Sequence, residues 1–243
     1  MRLGELTSPA FAALSPKPPL LVPVGIVEEH GPHLPLDTDS IQATHTCERV
    51  AARTGALVAP LLAYGNCSST RNFPGSFSLR FDTLRAIARD VLADCQRHGL
   101  RTVAFVSGHA GGAHMRALKL AAEEHLESDP TMRIFVLSDY ELLSDFEAPG
   151  VPRWDGHAGA LETSRMLAIR PDLVKGRGKP HQVRFPEFLV EAHAERHFPE
   201  GVMGDPTLAS RELGERANAH IEARLVVLLG LGALDSGLGA PEP

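Results

Sequence analysis

Thr102-Val103-Ala104-Phe105-Val106-Ser107-Gly108-His109-Ala110-Gly111-Gly112 is the stretch that decides the fold. After Thr102, Val103 to Val106 form an unbroken apolar run, the pattern of a strand buried on both faces. The glycine-rich turn then releases the chain into a segment from Ala113 to Leu126 with helical periodicity, and Arg133-Ile134-Phe135-Val136-Leu137 reads as the next strand. The same alternation extends in both directions. Upstream, Leu20-Leu21-Val22-Pro23-Val24 is a short buried strand that Pro23 assigns to an edge or a bulge, and Leu57-Val58-Ala59 is another. Between them, Ser40 to Arg53 has helical period and stops at Gly55, and a further helix opens at Phe81 and runs to Gly99. Downstream, Ala158 to Ile169 and Ser210 to Leu231 read as helices flanking an irregular, Pro-rich stretch from Arg170 to Pro206; Asp235 to Pro243 reads as frayed. Strands alternating with amphipathic helices imply an α/β fold with a largely parallel sheet covered on both faces.

Composition narrows the function. The 243 residues carry 24 Lys plus Arg against 30 Asp plus Glu, a net charge of −6 with no basic run, which argues against a nucleic-acid partner. No window approaches the ~18 apolar residues of a membrane span, and Met1-Arg2-Leu3-Gly4-Glu5 is unlike a signal peptide, so the expected address is the cytoplasm. Cys47, Cys67 and Cys95 are odd in number and lack CxxC spacing, which suggests neither a disulfide framework nor a thiolate zinc site. The unusual excess is histidine, 12 residues beside only 5% aromatics. His45, His98, His114, His125 and His220 lie in helical, charged surroundings and read as exposed imidazoles.

In open parallel sheets, ligands bind beyond the carboxyl ends of the strands. Three stretches bring polar residues there: Glu28-Glu29-His30-Gly31-Pro32-His33-Leu34-Pro35-Leu36-Asp37-Thr38-Asp39, Gly108-His109-Ala110-Gly111-Gly112, and Gly156-His157-Ala158-Gly159-Ala160-Leu161-Glu162-Thr163-Ser164. They offer imidazoles and carboxylates of the types that bind borderline divalent metals. Glu28 and His30, two apart on an extended segment, point to one side while Glu29 points away. Asp39 can return to the same crevice as a bridging carboxylate, and His157 and Glu162 can face it from the start of a helix. Charge counting favours two metals: +4 is balanced by Glu28, Asp39, Glu162 and one hydroxide. A serine-hydrolase reading fails for want of a GxSxG elbow, and the glycine turn lacks either phosphate-loop pattern.

These residues carry a resemblance. Val22-Pro23-Val24-Gly25-Ile26-Val27-Glu28-Glu29-His30-Gly31-Pro32-His33-Leu34-Pro35-Leu36-Asp37-Thr38-Asp39 resembles the opening motif of the creatininase (creatinine amidohydrolase) family. Ser107-Gly108-His109-Ala110-Gly111-Gly112 is similar to its Asn-Gly-His-Gly-Gly-Asn turn, and His157-Ala158-Gly159-Ala160-Leu161-Glu162-Thr163-Ser164 to its His-Ala-Gly-x-x-Glu-Thr-Ser segment. Phe73-Pro74-Gly75-Ser76 and Gly201-Val202-Met203-Gly204-Asp205-Pro206 are similar to its weaker signatures. The resemblance implies a three-layer α/β/α fold, one catalytic domain over residues 1–243, two divalent ions per subunit (zinc, manganese or iron) and a homohexamer. It marks Glu28, His30, Asp39 and His109 as metal ligands, with Asp39 as the bridge. Some members carry a glutamate ligand two residues after the turn histidine; that position is Gly111 here, so Glu162 becomes the candidate fifth ligand and a catalytic residue. His157 matches a histidine that shuttles protons. Glu29, where Gln is usual, Thr70, where many members have His, Ser107 in place of an asparagine, and His33 of the first motif are expected on the substrate side.

The function so implied is a metal-dependent hydrolase that cleaves a C–N amide bond of a small cyclic amide or formamide, with a metal-bridged water as nucleophile and a proton from His157 for the leaving nitrogen. The alternatives are a family peptidase trimming a small modified peptide, or a metal-binding homologue without activity.

Overall fold

The computed structural model describes residues 1–231. Its centre is a parallel sheet in the order β2-β1-β3-β4, built from β1 (Leu20–Val24), β2 (Leu57–Val58), β3 (Thr102–Ser107) and β4 (Arg133–Ser138). Period-2 alternation sorts the side chains. Leu20, Val22, Val24, Val103 and Phe105 pack against α3 (Phe81–Arg97) and α4 (Gly112–Ser128), with Phe11 of the short α1 (Ser8–Ala13) on the same side. Leu21, Val58, Ala104 and Val106 pack on the other face against α2 (Thr38–Thr54) and α6 (Arg211–Leu228), and α5 (Ala160–Ile169) lies against α6. The result is a three-layer α/β/α fold. Leu84, Ala88, Leu92 and Cys95 form the buried stripe of α3, at the spacing that reads as helical in the sequence.

The register brings the ends of three strands together. Val24 lies opposite Ser107, and Ser107 opposite Ser138, so the loops after β1, β3 and β4 leave the sheet at one edge.

Several expectations change in detail. β1 lies between β2 and β3 and is not an edge strand. Pro23 is tolerated there because it faces the β2 side, where its carbonyl accepts from Leu62 N–H at 3.0 Å beyond the end of the two-residue β2, so its missing N–H costs no rung between named strands. α2 starts at Thr38 and so carries Asp39 in its first turn. α5 starts at Ala160, two residues later than expected, because Ala158 has φ of 53° and cannot be helical. Ser210 caps α6, its side chain accepting from Leu213 N–H, and the helix ends at Leu228. The frayed tail expected at 235–243 lies outside the described residues.

Two glycines set how closely α2 approaches the sheet. A Cβ on Gly25, after β1, would collide with Ser40, and one on Gly108, after β3, would collide with the backbone of Asp39. Only α-carbons without a side chain let the N-terminal turn of α2 rest on the strand ends. Gly108→Ala should therefore push Asp39 off its position, costing about 1–3 kcal/mol of stability together with metal binding. Gly112→Ala, whose added methyl meets nothing within 4 Å, should leave both unchanged. Denaturant melts and metal titration of the two variants check this; equal behaviour would contradict it.

Candidate metal centre and active site

Glu28 and His30 come from the loop after β1, Asp39 from the first turn of α2, His109 from the loop after β3, and Glu162 from the first turn of α5. All five are at least nine-tenths buried, with Glu28 and Asp39 each 1% exposed. Asp39 stands in the middle. Its Oδ1 lies 3.2 Å from His30 Nε2, and its Oδ2 lies 3.3 Å from His109 Nδ1. Glu162 Oε1 completes the His30 side at 3.6 Å, and Glu28 Oε2 the His109 side at 2.8 Å. Three three-donor groups result among the described residues, each with its ligand atoms within 4.8 Å of one another: Glu28–Asp39–His109 and His30–Asp39–Glu162, which share Asp39, and Glu28–His30–His157, which lacks it.

The hydrogen bonds indicate what these groups suit. His30 Nδ1 faces the Glu28 carbonyl at 3.0 Å, and a carbonyl can only accept, so this nitrogen carries a proton, and Nε2, turned toward two carboxylates, is the nitrogen whose lone pair a cation would meet on displacing the second proton. Glu28 Oε2 and Asp39 Oδ2 are buried without any hydrogen-bond partner although imidazole nitrogen is close to both. Lone pairs converging on a shared point, from a mixed imidazole and carboxylate set, fit divalent ions of the zinc or manganese type. The electrostatics agree. Burial by itself would raise the carboxylates and lower the imidazoles, yet Glu28, Asp39 and Glu162 all lie below the ordinary carboxylate range because histidines face them. His30 and His109 stand well above the ordinary imidazole value despite burial, held there by Asp39 with Glu162 and by Glu28 with Asp39. The centre is thus strongly cation-attracting.

His157 stands beside this centre. Its Nε2 lies 2.7 Å from the Glu29 carbonyl, which makes that nitrogen the donor and leaves Nδ1 as the one that can take or give a proton. The ring packs on His30 at 4.2 Å between centroids and on Phe198 at 5.4 Å. His157, Glu28, Asp39, His109 and Glu162 open into a cavity of about 460 Å³. Tyr140, Leu143, Leu161, Phe185, Phe198 and Met203 form much of its remaining wall, and no lysine or arginine lines it.

A family profile described as creatininase, creatinine amidohydrolase, matches residues 4–229. The chain belongs to the creatininase family. It is 34% identical over 214 residues to a creatinine amidohydrolase of Pseudomonas putida, covering 81% of this chain and 82% of that one. It is 33% identical to a mycofactocin precursor peptide peptidase of Mycolicibacterium smegmatis, covering 90% and 86%. The solved structure of a creatinine amidohydrolase superposes with a TM-score of 0.87 at 28% identity, covering 97% of this chain and 98% of that one. Other solved creatininases of this fold are described as a Mn form (TM-score 0.84) and as a variant of Zn-Zn type (TM-score 0.83). The creatininase family makes this chain a metal-dependent amide hydrolase.

The residues expected on the substrate side occupy a different place. None of Glu29, His33, Thr70 and Ser107 lines the cavity. Each is buried; Thr70, Glu29 and Ser107 contact Glu28, His157 and His109 respectively, and His33 contacts Thr163 beside Glu162. Thr70 Oγ1 donates to Glu28 Oε1, and His33 Nε2 pairs with Thr163 Oγ1 at 2.8 Å. Glu29 Oε2 accepts from Gly31 N–H at 3.0 Å, and its Oε1 lies 3.5 Å from His157 Nε2. Ser107 Oγ is engaged by the His109 N–H, the His109 carbonyl and His114. The sequence places these residues in the motifs but does not say which way each side chain turns.

His114 and His125, read as exposed, are buried. His114 accepts from Asn66 N–H on Nδ1, faces Ser107 on Nε2, and packs edge-on against His109, and burial with its charged neighbour pushes it down to about 3. The signal was available: His114, Leu118 and Ala121 lie on one α4 stripe, all fully buried. Tyr140, just after β4, was missed although it obeys the same end-of-strand rule.

Ser107→Ala separates the two placements. Loss of a buried hydroxyl with three partners should destabilise the protein by about 1–3 kcal/mol and leave KM within twofold. Unchanged stability with a raised KM would return Ser107 to the substrate side.

Proposed function

We propose that Glu28, Asp39 and His109 hold one divalent ion and His30, Asp39 and Glu162 a second, with Asp39 bridging, in a single catalytic domain that hydrolyses a C–N amide bond of a small molecule, a cyclic amide or a formamide. The observation that carries this reading is Asp39 itself, buried, with one oxygen turned to each group. Zinc and manganese suit the donors best, and iron is compatible with them. Such ions polarise an amide carbonyl and acidify water.

The chain's own residues supply the rest. The apolar part of the cavity wall limits water around the reacting bond, and His157 Nδ1, freed by the Nε2 bond to Glu29, takes a proton and hands it to the leaving nitrogen. Glu28, Asp39 and Glu162 stay ionised to low pH because His30, His109 and His157 face them. A second reading, cleavage of a short modified peptide, is favoured by the apolar wall of Leu143, Phe185, Phe198 and Met203, which a small polar ring would leave unfilled.

The same reading makes the protein a cytoplasmic homo-oligomer, a hexamer by resemblance. No helix among the described residues is long and apolar enough to cross a membrane. Supporting the location, Cys47, Cys67 and Cys95 are buried free thiols. Supporting the assembly, Phe188 and Val190 are 94% and 96% exposed on the segment that sends Phe185 into the cavity wall. Light scattering should give a multiple of 26.1 kDa; a fully active monomer would refute the assembly.

Metal-reconstituted protein should bind two ions per chain. Asp39→Ala should lose both, whereas His157→Ala should keep both and lose about 10²–10⁴-fold in turnover. Elemental analysis beside assays on cyclic amides, formamides and short peptides tests this. A stoichiometry that never exceeds one, or metal loss in His157→Ala, would overturn the assignment.

A further inference from the structure

Two hydroxyls meet the two outer carboxylates, Thr70 from behind the centre and Tyr140 from the cavity wall. Thr70, 1% exposed on the loop before Phe73, donates its hydroxyl proton to Glu28 Oε1, leaving Oε2 turned to His109. Tyr140, at the far side of the centre, lies with its hydroxyl 3.0 Å from Glu162 Oε1 and 2.7 Å from Gln42 Oε1. A phenol has one proton, and the charged carboxylate is the stronger acceptor. Gln42 grips the same residue from behind, its Nε2 donating to the Glu162 carbonyl at 3.2 Å. The Tyr140 ring is itself fixed beneath the Arg165 guanidinium at 4.9 Å, and Arg165 is held by Asp139 at 2.6 Å and Asn218 at 2.9 Å, all buried. Thr70 and Tyr140 share no partner.

We propose that Thr70 and Tyr140 are positioning residues that set the affinities of the two ion positions separately. Thr70 acts through Glu28 on the Glu28–Asp39–His109 position, and Tyr140 through Glu162 on the His30–Asp39–Glu162 position. The inference rests on the two-ion reading above. Thr70 holds Glu28 Oε1 and so aims the free Oε2; Tyr140 donates to Glu162 Oε1, the oxygen turned to His30, while Ala158 N–H holds Oε2, and the loss of such an outer hydrogen bond typically costs ~10–100-fold in metal affinity. Because the two hydroxyls lie on separate elements with no common partner, their effects should add.

Thr70→Val and Tyr140→Phe remove the hydroxyls while preserving shape, and Tyr140→Phe keeps the ring under Arg165. Glu28→Gln and Glu162→Gln identify which step of a zinc titration belongs to which position. Thr70→Val should weaken the step that Glu28→Gln abolishes by about 10–100-fold, and Tyr140→Phe the step that Glu162→Gln abolishes, each leaving the other step within about threefold. Thr70→Ser should restore wild-type binding. Equal weakening of both steps, as a general loss of stability would give, overturns the proposal, as does no change in either. A second readout needs no metal: in crystals of the apo variants, Glu162 should rotate in Tyr140→Phe with Glu28 fixed, and the reverse in Thr70→Val. Carboxylates that stay in place in both would overturn the proposal even where the wild type binds two zinc ions. If the wild type binds fewer than two, the two-ion reading fails, and the apo rotations alone decide whether the hydroxyls position the carboxylates.

Discussion

Asp39 is a carboxylate taken almost wholly out of water and kept ionised there, and the rest of the site is arranged around the cost of doing so. Burying an unpaired charge is prohibitive, so the group must be met by positive charge or by protons on neighbours. Here His30 approaches one oxygen and His109 the other, and behind each histidine stands a further carboxylate, Glu162 or Glu28. Taken as the five proposed ligands alone, Glu28, Asp39 and Glu162 against His30 and His109 leave the set negative even when both rings are protonated. Divalent cations would resolve that imbalance more completely than protons can, which is the physical ground for proposing these residues, costly to fold together, as a metal centre.

The fold supplies this geometry through one close approach. β1, β3 and β4 end at a common edge, and α2 is brought down onto that edge at Gly25 and Gly108. The approach fixes Asp39 between loops from β1 and β3. Asp155 ties the fourth piece in: its carboxylate accepts from Ala160 N–H at 2.7 Å, Leu161 N–H at 3.0 Å and Asp205 N–H at 3.1 Å, anchoring the first turn of α5 and hence Glu162. The site is therefore held by backbone contacts from rigid elements, and the apolar wall above it comes from less regular segments, such as that bearing Phe185 and Phe198.

The sheet was legible because β3 is apolar from Val103 to Val106 and followed by a glycine turn, a pattern with few other solutions. The polar residues after the strands were legible for the same reason, since the topology gathers those loops whatever their sequence. Side-chain direction was not. Glu29, Thr70 and Ser107 sit in the right motifs but turn inward, and this depends on partners far along the chain: Gly201 packs on Glu29, and His114 on Ser107. Pro23 misled because, past the two-residue β2, this side of an interior strand is paired only through the single bridge of Val24 with Leu62, which needs no N–H from Pro23. Tyr140 carried no periodic or motif signal, and only the position of β4 beside β3 brings it to Glu162.

Anomalous diffraction from crystals grown with zinc tests the central assignment most directly. Two peaks should flank Asp39, one between Glu28 and His109 and the other between His30 and Glu162, about 3.5–4 Å apart. A single peak, or one held by Glu28, His30 and His157 with Asp39 uninvolved, would contradict the assignment of Asp39 as the bridge.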